Sequence, residues 1–504
     1  MTRRTSKALT AATAALLFAS GSASACETLS ALDLDHTTIK SARTVAPGEM
    51  RIEGEGRFAA ATNAALSTLP AFCRVVAISH PSADSTIGME IWLPADNWNG
   101  MLLAVGNGAW AGSISYTALA DAVREGYAAV STDTGHIGNE VDFAIGHPEK
   151  LVDFAYRAVH EMAVAAKALV TANYSRPADY SYFSGCSTGG RQALAEVQRY
   201  PNDFDGVVAG AAAYYPSHLQ GMQVWTSAIA ARQTEPHLGE REFHLVNDAV
   251  VAECDTLDGV EDGVIENPAV CDFDPASLIC ENAESGTCLT AAQAETVRRI
   301  YTGPTDANGR SIFPGLSRGS ETGWRTLSSE EPLGLAYDTY ARLVFGDSHW
   351  DFTTFDAARD IATGIERIGD LMDSADPDIS AFIDHGGKLL LYHGWSDPGI
   401  PARSTIRYYD SVRETIGSDV ADQSVRLFMV PGMGHCRGGV GTDQFDPVAA
   451  LDRWVRTDEP PTRIEASRIE DGQVTRTRPL CPFPQAAAYD GSGSTDTSEN
   501  FECR

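Results

Sequence analysis

Gly185-Cys186-Ser187-Thr188-Gly189 is the stretch that decides the fold, with Tyr180-Ser181-Tyr182-Phe183-Ser184 before it and Gly190-Arg191-Gln192-Ala193-Leu194 after it. An aromatic, apolar run, a glycine-flanked serine and then a run of helix formers predict a strand, a sharp turn and a helix, with Ser187 at the apex. That geometry lifts a hydroxyl clear of the backbone, where a neighbouring base can activate it. Small residues on both sides let strand and helix pack closely through the turn, and the Thr188 N–H then points to where an oxyanion forms. Gly-x-Ser-x-Gly alone is common in plain loops, so its weight comes from the strand before it and the helix after it.

Two later stretches supply partners. Lys388-Leu389-Leu390-Leu391-Tyr392-His393-Gly394-Trp395-Ser396-Asp397-Pro398 reads as a buried parallel strand whose loop carries Asp397. Pro431-Gly432-Met433-Gly434-His435-Cys436 offers His435 as the base. The chain order Ser187, Asp397, His435 is that of the α/β-hydrolase fold, where the acid follows a late strand and orients the imidazole. His393 is expected to be a packed strand-end histidine or a lining residue, since a base on the same short loop as the acid would be poorly placed. Trp92-Leu93-Pro94 and Met101 to Val105 read as a strand pair ending in a glycine-rich loop, which makes the Gly106 N–H the expected partner of Thr188 in an oxyanion hole. A dinucleotide fingerprint fails there, because Gly106 and Gly108 have no correctly spaced third glycine.

The N-terminus reads as an address. Arg3, Arg4 and Lys7 precede an apolar run from Ala8 to Ala19, and Ala23-Ser24-Ala25 is a cleavage signature, so residues 1–25 are expected to be a signal peptide and the protein secreted or periplasmic. Cys26 just beyond raises a lipoprotein alternative, although Ala23 stands where a lipobox usually has Leu. With 38 Lys and Arg against 68 Asp and Glu, the net charge of −30 argues against nucleic acid and anionic membrane surfaces as partners. Ten cysteines in an exported chain read as disulfides. Proximity suggests Cys26 with Cys73, Cys254 with Cys271, Cys280 with Cys288 and Cys481 with Cys503, although sequence alone does not choose among pairings. That leaves Cys186 and Cys436, each adjacent to a residue of the candidate triad. A bond between them would fix the separation of nucleophile and base.

The Cys-Ser nucleophile, the downstream Asp397 and the His435-Cys436 pair together resemble the tannase and feruloyl esterase family, which includes bacterial mono(2-hydroxyethyl) terephthalate hydrolases. The resemblance covers nearly the whole mature chain. It implies a disulfide between the cysteines that flank serine and histidine, matching Cys186 and Cys436, and an α/β-hydrolase fold with a mostly parallel sheet and a large lid inserted between nucleophile and acid. The expected organisation is a first α/β-hydrolase part over residues 26–212, a lid over 213–378 and a second α/β-hydrolase part over 379–504. Strands at 88–93, 101–105, 127–132, 180–184 and 206–210 alternate with helices at 118–124, 154–173 and 189–200, the βαβ pattern of a parallel sheet.

Near the start of the expected lid, Cys254-Asp255-Thr256-Leu257-Asp258-Gly259-Val260-Glu261-Asp262-Gly263-Val264 is a metal candidate. Asp258 and Asp262, the main-chain oxygens of Val260 and Val264, and Asp255 can converge as oxygen donors suited to a hard ion. It is not an EF-hand, and a solvated acidic turn is the plain alternative. The resemblance implies structural calcium at this loop.

For function, the resemblance implies a serine esterase acting on small esters of hydroxycinnamic or gallic acids, with mono(2-hydroxyethyl) terephthalate-type monoesters as the alternative. The latter would need an arginine for the free carboxylate, and Arg325 and Arg342 are the candidates. The aromatic run Tyr337 to Trp350 is expected to be mostly lid core. A calcium-bound binding module on an inactive hydrolase fold is a further alternative, and the intact Ser, Asp and His set speaks against it. Lipase and peptidase readings fit the triad alone.

Overall fold

In the computed structural model, which describes residues 25–54, 57–233, 237–281, 287–328 and 331–504, nine strands join in one sheet. The expected leader lies outside the described residues apart from Ala25. The strands are β1 Thr37–Val45, β2 Phe72–Ser79, β3 Ile87–Pro94, β4 Met101–Val105, β5 Ala128–Thr132, β6 Tyr180–Cys186, β7 Gly206–Gly210, β8 Lys388–Gly394 and β9 Val425–Val430. Their spatial order is β1-β2-β3-β5-β4-β6-β7-β8-β9. The first three are antiparallel, β3 is antiparallel to β5, and all pairs from β5 through β9 are parallel. This is an α/β-hydrolase sheet. β3 and β4 are not the neighbours the sequence suggested: helix Tyr116–Arg124 carries the chain over so that β5 inserts between them.

The central strands are apolar at nearly every position because both faces are covered. Phe183, Val207, Leu389 and Leu391 face one side with Met162, Leu169, Leu194 and Val197 of helices Ala158–Tyr174 and Thr188–Arg199. Tyr182, Val208 and Leu390 face the other side, with Leu119, Val123, Leu451 and Trp454 of helices Tyr116–Arg124 and Pro447–Thr457. The segment before β3 holds β1, β2 and helix Arg57–Leu66.

Between β7 and β8 the chain leaves the sheet. It begins this excursion with helix Pro216–Ala231 and packs a separate core of Trp225, Phe243, Trp324, Tyr340 and Phe355 against Trp110 and Phe154 from the sheet side. After helix Pro447–Thr457 come a hairpin, β10 Ile464–Glu470 with β11 Gln473–Leu480, and a short pair, β12 Ala487–Tyr489 with β13 Phe501–Cys503. No described helix is long and apolar enough to cross a membrane.

Candidate active site

β6 runs straight into Ser187, whose φ of 64° and ψ of −122° turn the chain into helix Thr188–Arg199. A non-glycine residue holds such angles only where its surroundings over-determine them. Here the Ser187 N–H donates to the Gly210 carbonyl, and its own carbonyl accepts from Ala213 N–H, each at 3.0 Å. The elbow is therefore locked to the end of β7. The glycines serve close approach: a Cβ on Gly185 would stand 2.5 Å from the Gly189 carbonyl, and one on Gly190 would stand 2.5 Å from the Gly210 oxygen.

Asp397 lies in the turn after β8 and is completely buried. Its Oδ1 accepts from the Gly399 and Ile400 N–H groups at 2.9 Å each, and its Oδ2 meets His435 Nδ1 at 2.7 Å and His393 Nε2 at 3.1 Å. Burial pushes the carboxyl up, but hydrogen bonds from His393 and His435 outweigh it and hold the group well below the usual carboxylate range. Burial lowers the His435 pKa, and the hydrogen bond and charge of Asp397 more than reverse that, leaving it above 6.5. His393 is thus a packed strand-end histidine: its Nε2 faces only oxygen acceptors, Asp397 Oδ2 and the Ile400 carbonyl, and its Nδ1 meets Thr405 Oγ1 at 2.7 Å.

The His435 loop is zipped to the acid loop by Trp395 N–H to the Val430 carbonyl and Ser396 N–H to the Met433 carbonyl, both 2.9 Å. Cys186 and Cys436 are bonded, with Cα atoms 6.1 Å apart across 250 residues of sequence. The other cysteines pair as Cys26–Cys73, Cys254–Cys271, Cys280–Cys288 and Cys481–Cys503, and none is free. Five disulfides suit an oxidising compartment. Ser187 and His435 line one cavity of about 540 Å³. His435 is hydrogen-bonded to Asp397, and no hydrogen bond joins it to Ser187 among the described residues.

The Gly106 assignment does not stand. Its N–H donates to the Ser184 carbonyl at 3.0 Å, because β4 keeps pairing with β6 one residue past the expected strand end. Asn107 N–H is taken as well, by Gln192 Oε1 at 2.9 Å. The next two residues, Gly108 and Ala109, line the cavity beside Thr188, and their amides donate to no partner among the described residues. Thr188 Oγ1 donates to the Ala109 carbonyl at 2.9 Å, tying this loop to the elbow. The Thr188 amide, first of its helix, has no intrahelical acceptor.

The cavity walls are largely apolar: Trp110, Phe154, Leu219, Leu333, Leu335 and Met372. Of the aromatic run 337–350, Tyr340 is buried in the core of the insertion and Trp350 packs on Tyr337 and Phe345; none of them lines the cavity. Trp110 and Phe154, which sequence reading passed over, are the rings that do, and Trp110's place just after the Gly106-Asn107-Gly108 loop was the available signal. Arg325 lines a different cavity with Leu238 and Phe243, and Arg342 pairs with Asp142. The arginines at the site cavity are instead Arg191 and Arg437.

The acidic loop turns through Gly259 and Gly263, with φ of 88° and 78°. Asp255 caps it by accepting from Asp262 N–H at 3.3 Å and Gly263 N–H at 3.0 Å. Asp258 accepts from Val260 N–H and Asp262 from Val264 N–H, at 2.9 and 3.1 Å. Asp258, Asp262 and Glu266 line a small pocket with Arg476 and Arg478, and Asp262 pairs with both arginines. Among the described residues no three acidic, histidine or cysteine side chains stand close enough to hold an ion alone. A cation here would also need the main-chain oxygens of Val260 and Val264, and such an all-oxygen donor set fits a hard ion.

A hydrolase is defined by this arrangement, with the serine elbow after β6, the acid after β8 and the histidine after β9 on an α/β-hydrolase sheet. Comparison with known proteins narrows the class. The family model for tannase and feruloyl esterase matches residues 73–504. An uncharacterized esterase of Xanthomonas campestris pv. campestris is 36% identical, with 98% of this chain and 93% of that protein covered. A probable feruloyl esterase B-2 of Aspergillus terreus is 34% identical over 86% of each chain. The crystal structure of feruloyl esterase B from Aspergillus oryzae superposes with a TM-score of 0.87 at 32% identity, covering 95% of this chain and 99% of that one. The chain belongs to the tannase and feruloyl esterase family and is a carboxylic ester hydrolase.

Proposed function

We propose that this enzyme is exported and hydrolyses esters of aromatic acids of the hydroxycinnamic or gallic type through a Ser187-His435-Asp397 triad. The observation that carries the mechanism is the 2.7 Å contact between buried Asp397 and His435, on a loop bonded covalently to the nucleophile elbow. Asp397 holds the Nδ1–H tautomer, which leaves His435 Nε2 free to take the Ser187 proton as Oγ attacks the ester carbonyl. The tetrahedral oxyanion is received by the Thr188 amide and by the amides of Gly108 and Ala109. His435 then returns the proton to the departing alkoxide, and water, deprotonated the same way, releases the acid from Ser187. The apolar walls with Trp110 and Phe154 suit a planar acyl ring, and the names of the relatives support the same acyl class. The insertion between β7 and β8 acts as a lid over this cavity, to which it contributes Leu219, Leu333 and Leu335.

The test is hydrolysis of methyl ferulate, methyl gallate, mono(2-hydroxyethyl) terephthalate and p-nitrophenyl butyrate by wild type and Ser187→Ala. Ser187-dependent preference for ferulate or gallate is expected. Cleavage of butyrate alone would sink the aromatic reading, and silence on all four would favour a binding module. The terephthalate monoester is the second reading, favoured by Arg437 at the cavity. Calcium at Asp255, Asp258, Val260, Asp262 and Val264 is proposed as structural, supported by Asp258, Asp262 and Val264 lining one small pocket.

A further inference from the structure

Helix Pro216–Ala231 presents two glutamines, Gln220 and Gln223, to the site cavity. Both are nearly sealed from solvent, at 6% and 4% exposure, and the Oε1 of each is buried without a hydrogen-bond donor. Buried amide oxygens are rarely left without a donor in a native protein, and here two occur three residues apart on one helix face. The rest of that wall, Leu219, Leu333, Leu335 and Met372, has nothing to offer them. The orientation of Gln223 is fixed: its Nε2 donates to the Gly399 carbonyl at 2.9 Å, and a flipped amide would set two acceptors against each other. Gly399 also donates its own N–H to Asp397, so the free oxygen of Gln223 is held in register with the triad acid.

We propose that Gln220 and Gln223 recognise substrate by accepting hydrogen bonds from its hydroxyl groups, so that the enzyme selects hydroxyl-bearing esters over their deoxy analogues. The inference rests on the aromatic-ester reading above and deepens it. A site built to accept a hydroxyl proton rejects the analogue that lacks it, because the acceptors are then buried unpaired. A carboxylate presents only acceptors and gains nothing from this face. Of the other buried polar residues of the wall, Arg191 donates to the Phe154 and Ala155 carbonyls and Thr188 Oγ1 to the Ala109 carbonyl, so neither supplies the glutamines. The hydroxyl can belong to the acyl ring or to the alcohol, and the two sources are separable by experiment.

The experiment compares kcat/KM for two matched pairs, each normalised to alkaline hydrolysis: methyl p-coumarate against methyl cinnamate, and 2-hydroxyethyl cinnamate against propyl cinnamate. Wild type, Gln220→Met, Gln223→Met and the double variant are assayed. The wild type should prefer the hydroxylated member of one pair by about tenfold or more, and the double variant should bring that ratio to within about twofold. The pair that responds identifies which end of the ester the glutamines read. Because the readout is a ratio within each protein, general damage to folding cancels. A wild type without preference in either pair, or a preference that survives both substitutions, overturns the inference while leaving the aromatic reading intact. Failure to cleave any of the four esters, with p-nitrophenyl butyrate still hydrolysed, overturns both.

Discussion

Asp397 Oδ2 is shared by two histidines of different standing. His435 sits at the cavity with a third of its side chain exposed, whereas His393 is sealed between Asp397 and Thr405. Because Asp397 raises the His435 pKa above 6.5 and the base must be neutral to act, the acid limb of kcat/KM should lie above pH 6.5. Asp397→Asn should move that limb down while cutting kcat about 10⁴-fold, a pH profile being the check. The stability linkage of Asp397 has the opposite sense. Its folded pKa is depressed, so its contribution is present above 3.8 and is lost as pH falls from there. His393→Leu removes one donor but leaves His435 its acceptor. We expect urea unfolding to show a loss of about 1–3 kcal/mol, with turnover falling far less than in Asp397→Asn; equal losses of turnover would make His393 more than a packing residue.

At the scale of elements, the strand-elbow-helix unit works because β6, β7 and the helix after Ser187 approach within glycine distance. A Cβ at position 190 would meet backbone on both sides, the Gly210 oxygen at 2.5 Å and Ala212 Cα at 2.8 Å, so no rotamer change relieves it. Gly190→Ala should cost about 1–3 kcal/mol and lower turnover by displacing Ser187, seen as a drop in both melting temperature and kcat. Removing the Cys186–Cys436 bond opens a 250-residue loop, about 5 kcal/mol in the chain-entropy model, against about half that for the 8-residue loop of Cys280–Cys288. The first deletion should also lower kcat, and the second should not; equal kcat in the two would reduce the bond to an ordinary staple. These elements were legible because each is a contiguous signal: the elbow motif, the apolar runs of β4 to β8 and the cysteines beside Ser187 and His435. β1 was not, since its positions are mostly exposed or half-buried and carry no apolar alternation. The oxyanion loop was misread by its register, because one extra β4–β6 hydrogen bond removes Gly106 from the list of available donors. Gln220 and Gln223 sit in a helical stretch where glutamine is unremarkable, and only the fold brings them to the cavity.

Across the whole molecule, the acidic loop joins parts that are far apart in the chain. Asp262 pairs with Arg476 and Arg478 of β11, and Glu266 accepts from the Ala487 N–H of β12 at 2.9 Å, so the insertion is fastened to the C-terminal strands through this one loop. Three carboxylates face two guanidiniums there, in a chain of net charge −30 with few cations to spare. A bound divalent ion would correct the local imbalance, and because the ligands are assembled only in the folded chain, its binding free energy adds to stability. At a hundredfold excess over Kd the gain is about 2.7 kcal/mol. Protein dialysed against EDTA should therefore melt several degrees below the same protein restored with calcium, and magnesium, which demands tighter octahedral geometry, should restore less. Asp258→Asn should abolish the calcium response while leaving the Cys254–Cys271 bond in place. Coincident melting curves with and without chelator would leave Arg476 and Arg478 as the charge partners of this loop and remove calcium from the account.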